Sequence, residues 1–389
     1  MTQKTSAEHS PAAFYNADAL PPVQTRRERL SAYSIDELNP VSARSAEWRF
    51  TPLDRIDKLT SGERDGSEIP AVYDITGAAS VAHVPMSDPL VGRCGRPEDV
   101  ASALAWQETA NALIITASAQ DTSEVWVTRD AVGITPRSGH TVIDIAPFAK
   151  TTIVFDNRGD ALLSENVEIH VGESAEVVVV SLQQWNHNAV HLASHFCRIA
   201  TNASLVHAVI TLGGGVVRIN PNAHLAENAA SATLLGLYTA DAGTHIESQV
   251  FVNHDAPHTV SRVSYKGALR GAGARTVWIG DVLIGRDATG TDSYEQNRNL
   301  ILAEGARADS VPNLEIETGD IVGAGHASAT GRFDEEQLFY LRSRGITEHE
   351  ARQLVVRGFL NEVLAMVPVP RVQAIVHDAL DEALEEVTV

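Results

Sequence analysis

Three groupings of histidine in this chain carry spacings that could do chemistry. His187, His191 and His195 recur at every fourth residue. On a helix that step stacks the imidazoles along one face, where a pair could share a zinc ion. On a strand the same step spans roughly 13 Å, too far for two rings to share an ion. The flanking residues have strand texture, so surface or packing roles are expected here rather than a metal. The second grouping, residues 244–266, holds His245, His254, His258, Ser261 and Lys266, the residue types of an acid–base cluster. Neither a catalytic carboxylate pair nor a serine elbow accompanies them, which weakens an enzyme reading. The third is a single residue, His326, set among Gly323, Ala324, Gly325 and Ala327 with almost no neighbouring side chain to shield it. On chemistry alone this stretch reads as a surface loop joining a domain to a tail.

The elements that must position these residues are mostly strands. From about Asn111, β-rich runs recur at 112–116, 124–128, 141–145, 151–155, 167–171 and 176–182, and again at 205–212, 216–219, 232–237, 276–279 and 299–303. No helical pattern separates them, so a mainly β domain is expected over residues 111–331. The corners echo one another: residues 171–177, 200–205, 271–275 and 303–308 each place small side chains between strands. Such corners lean toward a solenoid of stacked coils. The period is irregular, and a β-sandwich stays open on periodicity alone.

Helical pattern takes over after Gly331. Asp334 with Gln337 makes a capping pair, and Gly345 is a natural stop. Thr347 and Glu350 form a capping box ahead of Leu354, Val355, Phe359, Leu360, Val363 and Leu364. Pro368 and Pro370 break that helix. A last helix over 371–386 carries an apolar stripe from Val372 to Leu384, opposite Asp381, Glu382, Glu385 and Glu386. Such a stripe packs on its own domain or docks a partner. Residues 332–389 are accordingly a helical C-terminal unit.

Residues 1–110 read as a mostly helical or irregular region. Residues 1–19 are polar and small, and 21–30 carry Arg26, Arg27, Glu28 and Arg29 on a short helix. Glu47-Trp48-Arg49-Phe50-Thr51-Pro52-Leu53 reads as a packed anchor followed by a turn. Residues 61–67 read as a linker.

Composition narrows the function further. The formal net charge is -20, from 50 acidic and 30 basic residues. That excess disfavours nucleic acid and anionic membranes as partners. Cys94 and Cys197 are the only cysteines, too few for a disulfide framework or for holding an iron–sulfur cluster by thiolates alone. No P-loop lysine motif is present, which argues against nucleotide hydrolysis by this chain. Without a signal core or a membrane-length apolar run, a soluble cytoplasmic protein is expected.

Several separated stretches resemble the SufB/SufD family, scaffold proteins of the SUF iron–sulfur cluster assembly system. Many relatives read Lys-Cys-Ser-His-Gly-Ala-Thr-Val-Gly, an acidic helix start, then Phe-Tyr-Leu-Arg-Ser-Arg-Gly. His326, Gly331 and residues 339–345 match; Ala324 stands in the cysteine's place and Ala327 in that of a glycine. Residues 47–53 are similar to a Glu-x-Trp-Arg/Lys-Tyr-Thr-x-Leu element near the start of SufD-like chains. His245, Glu247, Val252, His254, Ser261, Tyr265, Lys266 and Gly267 follow the His-x-Asp, Val-x-His and Ser-x-x-x-Tyr-Lys-Gly signature, with Glu247 replacing the aspartate. Those residues would be architectural. Residues 295–302 resemble Gln-x-Asn-x-Asn-Leu-Leu-Leu, whose asparagines would satisfy backbone groups at β-corners. Thr289 departs from a family glutamine, and Ala306 falls where SufB relatives carry a cysteine. These features place the resemblance on the SufD side.

The resemblance implies a right-handed parallel β-helix core flanked by N- and C-terminal helical segments. It implies a non-catalytic scaffold that pairs with SufB through the β-helices and docks the SufC ATPase on the C-terminal helices. Phe339, Tyr340, Leu341, Leu360 and Leu364 are the candidate docking residues. His326 is the candidate cluster-assembly residue and metal ligand, its small neighbours leaving room for a partner's thiolate. The isolated chain is expected to hold no cofactor, with a transient cluster forming at the SufB–SufD interface. A homodimer of the lone chain, acting as a storage or chaperone form, is the alternative assembly. A β-helix enzyme acting on polysaccharide is the alternative class; it would need clustered carboxylates and export.

Overall fold

A computed structural model describes residues 30–119, 122–332 and 335–385. The β-branched runs form two nine-stranded sheets whose members alternate along the chain. The first contains β1 (Val72–Thr76), β4 (Thr122–Arg129), β6 (Lys150–Gly159), β8 (Glu176–Trp185) and β10 (Ser204–Thr211), then β12 (Ser231–Ala240), β14 (Val260–Leu269), β16 (Thr291–Ile301) and β18 (Ile321–Arg332). The second contains β2 (Ala79–Pro85), β3 (Asn111–Ala117), β5 (Gly133–Ile145), β7 (Ala161–Val171) and β9 (Val190–Ile199), then β11 (Val216–Leu225), β13 (His245–His254), β15 (Arg275–Ile284) and β17 (Arg307–Ile316). From β3 and β4 onward each strand pairs in parallel with the strand two places along, so successive coils stack into a parallel β-solenoid. β1 and β2 instead pair antiparallel with β4 and β3, adding one antiparallel strand to the start of each sheet. At the other end β17 and β18 are the outermost strands of their sheets.

Side chains alternating at period two send one row inward. Val125, Ile153, Val179, Leu234 and Val263 hold the same register position in the first sheet, with His207 between Val179 and Leu234, and are buried in the core. The small corner residues predicted from sequence have a packing reason: Ala175, Ala203 and Ala274 are buried where the chain bends between sheets, and Ala306 packs partly buried against the same core. Ala149, Ala230 and Ala288 are buried at further bends that the sequence reading did not single out. Farther along, large and small residues interlock. Gly236 lies beside Tyr265, and Tyr238 beside Gly267, in adjacent strands. A Cβ on Gly267 would stand 1.8 Å from the Tyr238 ring.

Both outer faces are covered, which is why many strands are buried on both sides. Over the second sheet lie Trp48, α1 (Leu53–Thr60) and α2 (Val100–Glu108), packed on Val190, Leu192 and Val216. The Trp48 anchor is fixed by charge as well. Arg218 sits 4.4 Å over the Trp48 ring and donates to the Glu47 carbonyl, while Thr51 donates to Glu247. Over the first sheet lie α4 (Glu348–Leu364) and α5 (Pro370–Glu385), with α3 (Glu335–Ser343) packed against α4. Val356, Leu360, Val363, Leu364, Val372, Val376 and Leu380 pack there on Trp126, Val180, Leu182, Ile210 and Leu237. The α5 stripe is therefore used by its own domain. The Thr347–Glu350 capping box forms, and Gly345 ends the turn after α3 with φ of 90°.

Three expectations change. Residues 323–332 are not a loop: they lie in β18, hydrogen-bonded to β16. Glycine and alanine have low strand propensity, so a strand made of them reads as a loop until a partner supplies the ladder. Residues 72–85, expected to be helical or irregular, contribute β1 and β2 to the sheets. Asn297 and Asn299 lie within β16 rather than at a corner, where they bond the Tyr238 hydroxyl. The expected helix at 21–29 and the cap residue Asp334 lie outside the described residues. Among the described residues, no helix is long and apolar enough to cross a membrane.

Candidate functional site

The inward register row that is Val125, Ile153, Val179, Leu234 and Val263 in earlier coils ends with Glu295 on β16 and His326 on β18. Among the described residues β18 is the outermost strand of its sheet, so His326 is 42% exposed at its side chain while Glu295 beneath it is 1% exposed. His326 Nδ1 lies 3.8 Å from Glu295 Oε1. Neither Glu295 oxygen has a hydrogen-bond partner. Burial, with the Asp281 carboxylate nearby, pushes the Glu295 carboxyl up to about 8. Gly280 on β15 leaves a space shared by the Trp278 ring and this carboxyl, since a Cβ there would stand 2.3 Å from Trp278 and 2.4 Å from Glu295 Oε2. A cleft at the rim, lined by Asp281, Pro312, Asn313, Glu315 and His326 among others, opens this end to solvent. Asn299, Ser310 and Thr330 carry a hydrogen-bonded polar row beside it.

The sequence singled out His326 but gave Glu295 only as the start of an asparagine motif. A glutamate sharing parity with buried Thr291, Ser293, Asn297 and Asn299 was the available signal. Its pairing with a histidine 31 residues onward required the register, which alternation alone does not reveal.

The other histidine groupings do not converge. His187 is exposed in a turn, while His191 and His195 lie on β9 and point inward to different partners. His191 bonds Glu165 at 2.9 Å and Gln183 at 3.1 Å; His195 bonds His207 at 2.8 Å. Burial would raise the Glu165 carboxyl, but the Arg129 guanidinium and the His191 bond overcome it and hold it well below the usual carboxylate range. This interior network escaped the sequence reading because its members come from five strands. Of the 244–266 grouping, only His254 and Ser261 meet, at 2.9 Å. Both are wholly buried, and Ser261 also bonds Ser293, so no substrate reaches this pair. His245 instead bonds Glu247, whose carboxyl is held at about 2 because that bond and Arg218 outweigh burial. Lys266 faces outward to Glu362 and the Phe359 ring. Burial raises the thiols of Cys94 and Cys197 above their ordinary range, so neither is a ready thiolate. Among the described residues, no group of three or more His, Cys, Asp or Glu side chains could hold a metal ion.

The helical candidates divide. Phe339 and Tyr340 are 74% and 56% exposed, and Leu341 is half-buried. Leu360 and Leu364 are 0% exposed, which removes them as docking residues: their side chains are spent on the outer face of the first sheet. Leu354 and Met366 are exposed in the same unit.

Fold and site define a parallel β-solenoid protein with an antiparallel strand at the start of each sheet, helices on both faces, and an acid–imidazole pair at its outermost coil. Residues 128–359 match the family described as SUF system FeS cluster assembly, SufBD core domain. An iron–sulfur cluster assembly SufBD family protein of Mycobacterium tuberculosis (strain H37Rv) is 44% identical over 380 residues, covering 92% of this chain and 93% of that protein. One from Mycobacterium leprae is 41% identical over 375 residues, with 91% and 93% covered. A second SufBD family protein of M. tuberculosis H37Rv is 31% identical over 211 residues, which is 54% of this chain and 25% of that protein. The chain belongs to the SufBD family of iron–sulfur cluster assembly proteins.

Proposed function

We propose that this chain is the SufD-type scaffold subunit of a SUF assembly complex. It pairs with a SufB-type subunit through its last coil and receives a SufC-type ATPase on its C-terminal helices. The cluster, which is cargo and not a resident cofactor, is built at the SufB-facing end with His326 as a ligand. The chain itself performs no catalysis, and its place is the cytoplasm. The observation carrying this reading is His326, an imidazole half-exposed at the unpaired end of a long solenoid. Two further facts support it. The outer edges of β17 and β18 carry backbone groups without a strand partner, a surface suited to a second solenoid. M. tuberculosis H37Rv holds two different SufBD family relatives of this chain, as a paired scaffold requires.

The test is co-expression with SufB- and SufC-type subunits, comparing wild type with His326→Ala. The variant should assemble normally and keep the melting temperature of the lone subunit, because the side chain is half-exposed and makes no close hydrogen bond. Cluster yield per complex should fall by at least tenfold. Normal yield, or failure of the wild-type chain to co-purify with either subunit, would refute the reading.

A further inference from the structure

We propose that this chain's half of the assembly site is a carboxylate–imidazole pair, Glu295 with His326, that takes a divalent first-row metal ion such as Fe2+ before any partner thiolate joins it. This deepens the scaffold reading above and rests on it.

The argument begins with position. Glu295 occupies a register row that is valine, isoleucine or leucine in most earlier coils. His207 is the one polar member of that row in the coils before Glu295, and it is paired with His195. Glu295 makes no such bond: both oxygens are buried and without a hydrogen-bond partner. A carboxyl placed for stability alone would carry hydrogen bonds, because a buried, unpartnered polar group destabilises a fold. Gly280 leaves room that the carboxyl shares with the Trp278 ring. The group nearest it in the next coil is His326, reachable from the rim cleft.

Oxygen and imidazole donors suit first-row divalent ions. Nitrogen and oxygen ligands stand about 2.0–2.2 Å from such an ion, so two ligands of one ion lie about 3 Å apart. The observed 3.8 Å would close to that separation by a small rotation of His326, whose side chain is exposed to solvent at the open end. Asp281, at the cleft wall, adds negative charge that favours a cation. Two ligands from one chain leave the remaining coordination positions facing outward, where a second subunit would bring its own donors.

The test uses the full-length chain, anaerobically, with Co2+ as the probe because its visible absorption reports ligand number and type. Wild type should bind one Co2+ that is lost or weakened at least tenfold in Glu295→Gln and in His326→Ala alike. Glu295→Gln should also lower iron retention by the assembled complex while leaving assembly intact. Co2+ affinity unchanged in Glu295→Gln but reduced in His326→Ala would overturn the role of Glu295 and leave the scaffold reading standing. A changed melting temperature with unchanged Co2+ affinity would make Glu295 a structural residue and overturn the proposal equally. Loss of the scaffold reading has a separate signature, normal cluster yield with His326→Ala.

Discussion

At the scale of single residues, the interior is set by shape as much as by polarity. Gly267 exists because Tyr238 lies across it, and Tyr238 cannot withdraw easily. Its hydroxyl donates to Asn299 Oδ1 at 2.7 Å and accepts from Asn297 Nδ2 at 2.9 Å. Gly267→Ala should therefore destabilise the protein by about 1–3 kcal/mol, read as a lower urea midpoint. Gly358 offers the control. It lies within α4 with nothing near a would-be Cβ, so Gly358→Ala should be neutral or stabilise by up to about 1 kcal/mol. Equal effects from the two substitutions would contradict the interlocking account.

At the scale of elements, α4 has two faces with different work. Leu360 and Leu364 seal the first sheet, whereas Phe339 and Tyr340 on α3 stand out in solvent beside exposed Leu354. Leu360→Asp should destabilise the fold by several kcal/mol, because it buries an unpaired charge. The pair Phe339→Ala and Tyr340→Ala should leave the melting temperature within a degree or two of wild type and weaken SufC-type ATPase binding. Calorimetric titration with the ATPase subunit measures this; unchanged affinity would move the docking surface elsewhere. The sequence could not separate these sets, since all of them are apolar residues on helices and only the sheet beneath decides which are already used.

At the scale of the whole molecule, imidazoles stacked inside the solenoid should set its acid stability. Burial pushes His207 and His254 down to about 4, against an ordinary value near 6.5. The unfolded chain therefore takes up protons near pH 6.5 that the folded chain refuses until about pH 4. The stability from these groups is full above pH 6.5 and is lost as pH falls through that window, by roughly 3 kcal/mol for each as an upper bound. Urea midpoints between pH 7 and pH 5 should fall with decreasing pH, before most carboxylates titrate. His254→Gln should flatten that slope, and an undiminished slope would show that His254 does not contribute.

The chain's composition and periodicity determined much by themselves. Strand-length β-branched runs, recurring small corners and the switch to helical spacing after Gly331 are local properties. Ala175 or Ala203 must be small wherever a bend meets a core, and a capping box forms from neighbours. His326 was also legible, as a histidine isolated among small residues within a family motif. Tertiary structure decided what depends on residues about one coil apart: that residues 323–332 are a strand, that Leu360 and Leu364 are buried, and that His191 and His195 part company. It also decided that Glu295 lies directly beneath His326. The reason is physical. Alternation fixes which face a side chain takes, but only the stacking register fixes which side chain of the next coil it meets.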